Sequence, residues 1–477
     1  MSSSQDQTTL ETPHLSATVL QHGHHFTSLV AHGSEPDAPA TDALGGFADL
    51  DAYHNSVTRA FNNCIVGRYA NRLPAGESTF HSGAKIQLGG AAGVCLHGGD
   101  SGLDTLPWIP IARADSSLFS QHDPAHPIPP PAADPDEPVK ESSVLHRLIS
   151  PGGADGFPCS LECECLTVLY APEGGKGVKT EVEGGKKARS LGKIKVVMRA
   201  KIRDDGDEAI AHGTPVNLTV HWGFRLDDGQ DENILNHHLY LDSDKLVALD
   251  DKALATGAID HLEKGNGYDF YSHGREGPHR KIGDRYPEGG IDVNYLLNLP
   301  RAASPPEGEP LLPTQPQAIL TAPASINSSS TGHPRRLQLR FTSTAPSVQM
   351  YTAPGWDTNG PARKAVHGGP SAEQVAETYK SADRAEKAKS AGLGYAGDGM
   401  VFLEFQHPVG AVTHTVGDHL KEGETTELGR WLKDRAEQRQ LDLSEGKGGK
   451  SWEVNTLIRD GQVYENWTEI EVVEVDE

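Results

Sequence analysis

Cysteine is scarce in this 477-residue chain: five residues, at 64, 95, 159, 163 and 165. A low and odd count excludes a disulfide framework and fits a reducing compartment. Long apolar runs are lacking as well. Hydrophobic residues make up 36% of the chain, and no run approaches the ~20 residues of a membrane span. Positive charge is in deficit: 43 Lys and Arg against 66 Asp and Glu leave a formal charge of −23. That balance argues against a nucleic-acid backbone or an anionic membrane as partner. The opening stretch, MSSSQDQTTLETPH, has neither a basic nor an apolar region, so no secretory signal is expected. The N-x-S/T sites at Asn217, Asn327 and Asn466 then read as chance, and the expected location is cytoplasmic.

Glycine (52) and proline (32) are plentiful. Between them lie short segments of period-2 alternation: Lys193 to Val197, Val216 to Val220, Arg336 to Phe341 and Asn466 to Val472. Such segments, bounded by turn residues, read as strands. Many of them in one chain, without strand–helix alternation, predict an all-β protein of antiparallel sheets. The first ~15 residues lack any period and are expected to be disordered. The stretches near 123–138, 174–187, 305–334, 360–395 and 422–450 interrupt the β pattern and read as insertions within a single domain spanning 1–477. Two of these hold helix signals. Ser371 and Gln374 have capping-box spacing ahead of a run ending at Ala391, and Glu422 to Leu441 is a charged candidate. One or two short helices are therefore expected.

No single motif carries chemistry alone. An arginine after an asparagine, as in GRYANRL, is ordinarily solvated, and Leu96-His97-Gly98-Gly99 is a turn beside a histidine. Their order is more telling. GRYANRL, LHGG followed by GLD and Trp108, LTVHWGF, ILNH, Asp292-Val293-Asn294, VQMYT and LEFQHP succeed one another along the chain. This succession resembles the aldose 1-epimerases (galactose mutarotases), whose corresponding runs are close to GRxANRI, LHGGxxGxDxxxW, LTNHxYFNL, ILNH, D-x-N, VQxYT and LExQHxPDA. Matching segments run from about Gly23 to about Val472. The Pro-rich and helical stretches match none of them.

The resemblance implies a galactose mutarotase-like super-sandwich and an enzyme that interconverts the anomers of a free hexose such as glucose or galactose. It implies Glu404 as general base, His221 as general acid, and Asn71, Arg72, His97, Asp292 and Gln349 as groups holding the sugar hydroxyls. The residue types suit these tasks. Anomer exchange needs one group to take the C1 hydroxyl proton and another to protonate the ring oxygen, each such transfer contributing about 10²–10⁴-fold. By alternation Glu404 shares a face with Phe402 and Gln406, and aromatic neighbours desolvate a carboxylate and make it more basic. A histidine holds or releases a proton near neutrality. Arginine only donates and a carboxylate only accepts, whereas Asn, Gln and His do either, which matches the mixed demands of a sugar.

No cofactor and no metal are expected. Cys159, Cys163 and Cys165 have no CxxC pair or nearby histidine, and His24-His25 and His237-His238 would point to opposite strand faces. GGKGVKT lacks the glycines of a phosphate loop. The expected partner is a small-molecule aldose, with no nucleic acid and no membrane; the oligomeric state is open. Two alternatives remain, a hexose-6-phosphate 1-epimerase and a non-catalytic carbohydrate-binding protein. Gly223 and Arg225 stand where the family has Tyr and Asn, which predicts either a wider pocket with an added positive charge and a larger or anionic sugar, or a space filled by Trp222 or an inserted loop with the sugar preference unchanged.

Overall fold

The structure, a computed structural model, describes residues 6–32, 40–55, 59–120, 141–172, 180–183, 186–206, 208–299, 313–323, 335–378, 392–421 and 424–476. The Pro-rich stretch 123–138 and the second half of the helix predicted to end at Ala391 lie outside these residues.

Turn-bounded alternating segments become strands, and the strands assemble as antiparallel ladders. The larger sheet runs from Ile109–Pro110 through Glu141–Ser150, Ser160–Tyr170, Lys186–Arg203, Tyr464–Asp476, Arg335–Ser343, Ala318–Thr321 and His238–Leu241 to Arg280–Lys281. A second sheet has the order Trp222–Phe224, Val401–Gln406, Ser347–Tyr351, Asp292–Leu296, Lys245–Leu249 and Ala255–His261. Their facing sides share one core. Leu161, Cys163, Cys165, Ile194, Val196 and Val472 of the first sheet join Trp222, Val348, Met350, Leu403 and Phe405 of the second. The three cysteines of CSLECEC are thus small buried apolar residues, unpaired with one another.

Several expectations need correction. Residues 7–11 are not disordered. Gln7–Glu11 pairs with Leu15–Leu20 in a four-stranded sheet, where Leu10 and Leu15 enter the core. The polar side chains that hid the period face outward on an edge strand. The stretch 305–334 contains a strand of the large sheet, Ala318–Thr321, buried along its length. Helix is more dispersed than expected: short segments at Ala52–Asn55, Ala411–Val416 and Trp452–Asn455 accompany Ala372–Thr378 and Glu427–Gln438. The capping box is present, with Ser371 N–H donating to Gln374 Oε1 (2.8 Å) and Gln374 N–H to Ser371 Oγ (3.3 Å). The stretch 174–187 is not wholly an interruption of the β pattern either: Thr180–Glu183 is a strand that pairs with the start of Lys186–Arg203.

The second sheet does not present its outer face to water. Every residue of Val401–Gln406 is buried. Leu296 and Val247 pack under Ala411, Leu428 and Leu432 of two helices. The site lies on this covered face.

Candidate active site

Alternation along Val401–Gln406 sends Leu403 and Phe405 into the core and Phe402, Glu404 and Gln406 to the opposite face. Register extends that face across three strands. Gln349 stands opposite Glu404, Asn294 opposite Gln349, and Asp292 and Phe402 flank Tyr351. Directly opposed residues have Cβ atoms about 4.5–5.5 Å apart, so these side chains are neighbours by construction.

His221 arrives from a different ladder. It separates Thr219–Val220, paired with Ile65–Val66, from Trp222–Phe224, paired with Val401–Leu403. The NNC segment clamps it: His221 N–H donates to Cys64 O and Asn63 N–H to His221 O, both at 2.9 Å. Asn63 Oδ1 also accepts from Gly223 N–H at 2.7 Å. His221 Nε2 lies 3.3 Å from Glu404 Oε1, and both residues are buried.

The remaining groups close around this pair. Asn71 and His97 adopt left-handed backbone conformations (φ 66° and 49°), which turn two strand ends toward each other. Asn71 N–H donates to His97 Nδ1 at 3.1 Å, and His97 N–H donates to Asn71 O at 2.9 Å. Arg72 Nη2 pairs with Asp292 Oδ2 at 3.2 Å, and Gln349 Nε2 donates to Asp292 Oδ1 at 2.6 Å. The His97 ring meets His221 edge-on, with centroids 5.2 Å apart. The structure therefore brings together all seven residues selected from sequence: Glu404, His221, Asn71, Arg72, His97, Asp292 and Gln349.

Burial governs the protonation of the central pair. It pushes Glu404 up to about 8, with Asp292 adding to the rise and Arg72 opposing it. It pushes His221 down to about 3. Each group alone favours its neutral form, so at pH 7 the pair holds one proton. Carboxylate plus imidazolium differs from the neutral arrangement only by a proton moved across the 3.3 Å contact.

His97, His221 and Glu404 also place one donor atom each within 4.8 Å of one another, close enough to consider a metal. The histidine chemistry opposes it. Nδ1 of His97 accepts from Asn71, so Nε2 carries the hydrogen and is a donor to a hydroxyl, not a ligand.

Sequence reasoning missed the aromatic frame. Phe402 packs on His221 (4.7 Å), Phe61 on His97 (4.7 Å), Tyr351 and Trp356 on Phe402 (both 5.7 Å). Beyond these rings Phe47, Arg59, Trp356, Asn359 and Tyr395 line a cleft of about 740 Å³. Phe402 was legible as a face-mate of Glu404; the other rings come from distant segments. Two expectations are overturned here. Gly223 does not widen the pocket, because a Cβ there would lie 2.6 Å from the Phe402 ring, which fills the space. Arg225 adds no free charge. It is buried, pairs with Asp227 at 2.9 Å, and donates to the carbonyls of Asp231, Glu232 and Gly399.

Residues 191–427 match the family model of aldose 1-epimerase, a stretch that holds His221, Asp292, Gln349 and Glu404. Galactose mutarotase of Bos taurus is 25% identical over 289 residues, covering 60% of this chain and 66% of that protein. Aldose 1-epimerase of Escherichia coli (strain K12) is 26% identical over 247 residues, covering 52% and 55%. The chain thus matches just under two thirds of the length of these curated relatives, or less. Among solved structures, the GalM/aldose epimerase homologue from C. elegans superimposes with a TM-score of 0.57 at 16% identity, over 98% of both chains. Galactose 1-epimerase from Lactobacillus acidophilus NCFM gives 0.55 at 14%, over 98% of this chain and 93% of that one. At these identities the shared property is the fold, an all-β sandwich of galactose mutarotase type.

Proposed function

From the premise that the chain belongs to the aldose 1-epimerase family, we propose that it interconverts the α and β anomers of a free, uncharged hexose. The observation that carries this reading is the buried Glu404–His221 pair at 3.3 Å, with Arg72, His97, Asp292 and Gln349 beside it. The C1 hydroxyl oxygen and the ring oxygen of a pyranose are bonded to the same carbon. An acid and a base within hydrogen-bond distance of each other can therefore serve both.

Glu404, as carboxylate, takes the C1 hydroxyl proton while His221, as imidazolium, protonates the ring oxygen. The bond from C1 to the ring oxygen breaks and the open aldehyde forms. Rotation about the C1–C2 bond presents the other carbonyl face, and both protons return as the ring closes. Ring opening converts carboxylate plus imidazolium into acid plus neutral imidazole, the arrangement that burial favours for each group. The developing open-chain state is thereby stabilised relative to the charged pair. Arg72, His97, Asp292, Asn71 and Gln349 orient the sugar, and correct placement supplies much of the rate.

The charge pattern supports a neutral substrate. The guanidinium groups of Arg59, Arg72 and Arg225 each have a carboxylate: Arg59 with Asp104, Arg72 with Asp292, Arg225 with Asp227. Polarimetry of freshly dissolved α-D-glucose and α-D-galactose tests the reading. Wild-type protein should speed the approach to anomeric equilibrium, and Glu404→Gln or His221→Asn should each slow it at least about 10²-fold. Near-wild-type rates in either folded variant would sink the assignment. An inactive wild type that still binds sugar would make the chain a carbohydrate-binding protein.

A further inference from the structure

The strands that carry the acid and the base are laced together by side chains that the reaction above does not use. Their backbone ladder ends beside the pair. Trp222 stands opposite Leu403, and before that point Thr219–Val220 pairs with Ile65–Val66 instead. Side chains meet the backbone groups that the ladder leaves behind. Thr219 Oγ1 donates to Phe405 O at 2.8 Å. Asn217 brackets His407: its Nδ2 donates to His407 O at 3.2 Å, and its Oδ1 accepts from His407 N–H at 3.0 Å. Asn466 comes from Tyr464–Asp476 in the larger sheet. Its Nδ2 donates to Leu218 O at 2.9 Å and to Phe405 O at 2.8 Å. One amide nitrogen thus joins the strand leading to His221 with the residue that follows Glu404. Asn217, Thr219 and Asn466 are all buried. The Asn466 amide has one workable orientation, since a flip would set its oxygen against two carbonyl oxygens.

We propose that Asn466 and Thr219 are positioning residues: by tying Phe405 to the strand of His221 they fix the separation of Glu404 and His221 on which proton exchange with the sugar depends. The pair sits between two fixed points. On one side is the last ladder pair, Trp222 with Leu403; on the other is the tied carbonyl of Phe405. Releasing the tie frees one end of the 3.3 Å contact and leaves the other in register. Among the described residues, no hydrogen bond joins Asn466 or Thr219 to Asn71, Arg72, His97, Asp292 or Gln349. Loss of the tie therefore falls on the acid–base step and not on the hold on the sugar hydroxyls. A small displacement of a reacting group far outweighs its cost in stability.

That the separation serves anomer exchange rests on the epimerase reading, so the experiment has two readouts. The first needs no activity. In protein labelled with nitrogen-15 histidine, the Nε2 resonance of His221, identified by its loss in His221→Asn, reports the contact with Glu404. Asn466→Leu keeps the size and removes the donor, and Thr219→Val does the same for the hydroxyl. Both should move the resonance toward its position in Glu404→Leu, where the contact is gone. Thr219→Val also covers the case in which Asn466→Leu fails to fold. The second readout is the split between kcat and KM for glucose. Both variants should lower kcat about tenfold and leave KM within about twofold. Thr219→Ser restores the hydroxyl and should recover both the resonance and kcat. A purely structural role would lower stability and leave the resonance and kcat in place. An unmoved resonance in both variants overturns the inference whether or not the wild type is active. A moved resonance with unchanged kcat in an active protein overturns it too, because the separation would then not limit the reaction. A moved resonance in a protein without mutarotase activity would uphold the tie and overturn the epimerase reading.

Discussion

At position 223 the Phe402 ring leaves no room for a side chain, with its nearest atom 2.6 Å from where a Cβ would stand. The same ring packs on His221 at 4.7 Å, so one small residue lets an aromatic wall reach the imidazole. Two residues on, Arg225 performs a structural task. Arg225→Asn strips the buried Asp227 of its partner and should cost about 3–5 kcal/mol. The ratio of kcat/KM for glucose 6-phosphate to that for glucose should stay unchanged, and calorimetry beside the kinetic assay checks both halves. The central pair makes a prediction of its own. One proton resides on Glu404 and His221 between about 3, where burial holds the imidazole, and about 8, where it holds the carboxyl. Activity should therefore be flat across neutrality and fall as pH rises through about 8, since the pair then has no proton to give. A pH–rate profile that instead rises through pH 8 would contradict the one-proton pair.

Strands and their irregularities set where these residues stand. Lys186–Arg203 pairs with Ser160–Tyr170 on one side and Tyr464–Asp476 on the other. Its long alternation is interrupted once, at Gly192, where the ladder slips between Ser190 and Gly192. There φ is 129°, and a Cβ would fall 2.3 Å from Tyr170 O and 3.1 Å from Leu15 Cδ1. Gly192→Ala should destabilise the fold by about 1–3 kcal/mol without changing kcat, because the strain is stored far from the site. Urea denaturation compared with the polarimetric rate separates the two effects. The Lys193 to Val197 alternation was visible in sequence, but the bulge beside it was not. A glycine in a strand marks either a bulge or a close approach, and only the packed partner decides which.

On the scale of the whole molecule, the unusual feature is how many histidines are sealed in. His24, His25 and His146 are buried in one cluster, with the His24 and His146 rings edge-on at 4.9 Å, and His237 and His407 are buried elsewhere. Burial lowers all of them, His146, His237 and His407 to about 4 and His25 to about 3. A histidine whose folded pKa is depressed costs nothing above its unfolded value. Below about 6.5 the unfolded chain binds a proton that the folded chain refuses. Each such histidine then removes about 1.4 kcal/mol per pH unit until its folded pKa is reached. The melting temperature should be level above pH 7 and drop steeply between about 6.5 and 4, independent of activity. Differential scanning calorimetry across that range is the check, and a level Tm would show that these rings titrate normally.

The sequence by itself determined the strands, their antiparallel class and the chemical types at the site, because alternation and turn residues are local properties. It also determined that Phe402, Glu404 and Gln406 share a face, since strand period is two. Only the tertiary structure decided that Asn71 and His97 lock together, that Asn63 clamps His221, and that Arg225 is consumed by Asp227. Each of these joins segments by backbone turns or burial that no local pattern encodes. The same holds for the short N-terminal strand. Leu10 alone of Gln7–Glu11 is buried, and one apolar residue announces no period until Leu15–Leu20 lies beside it.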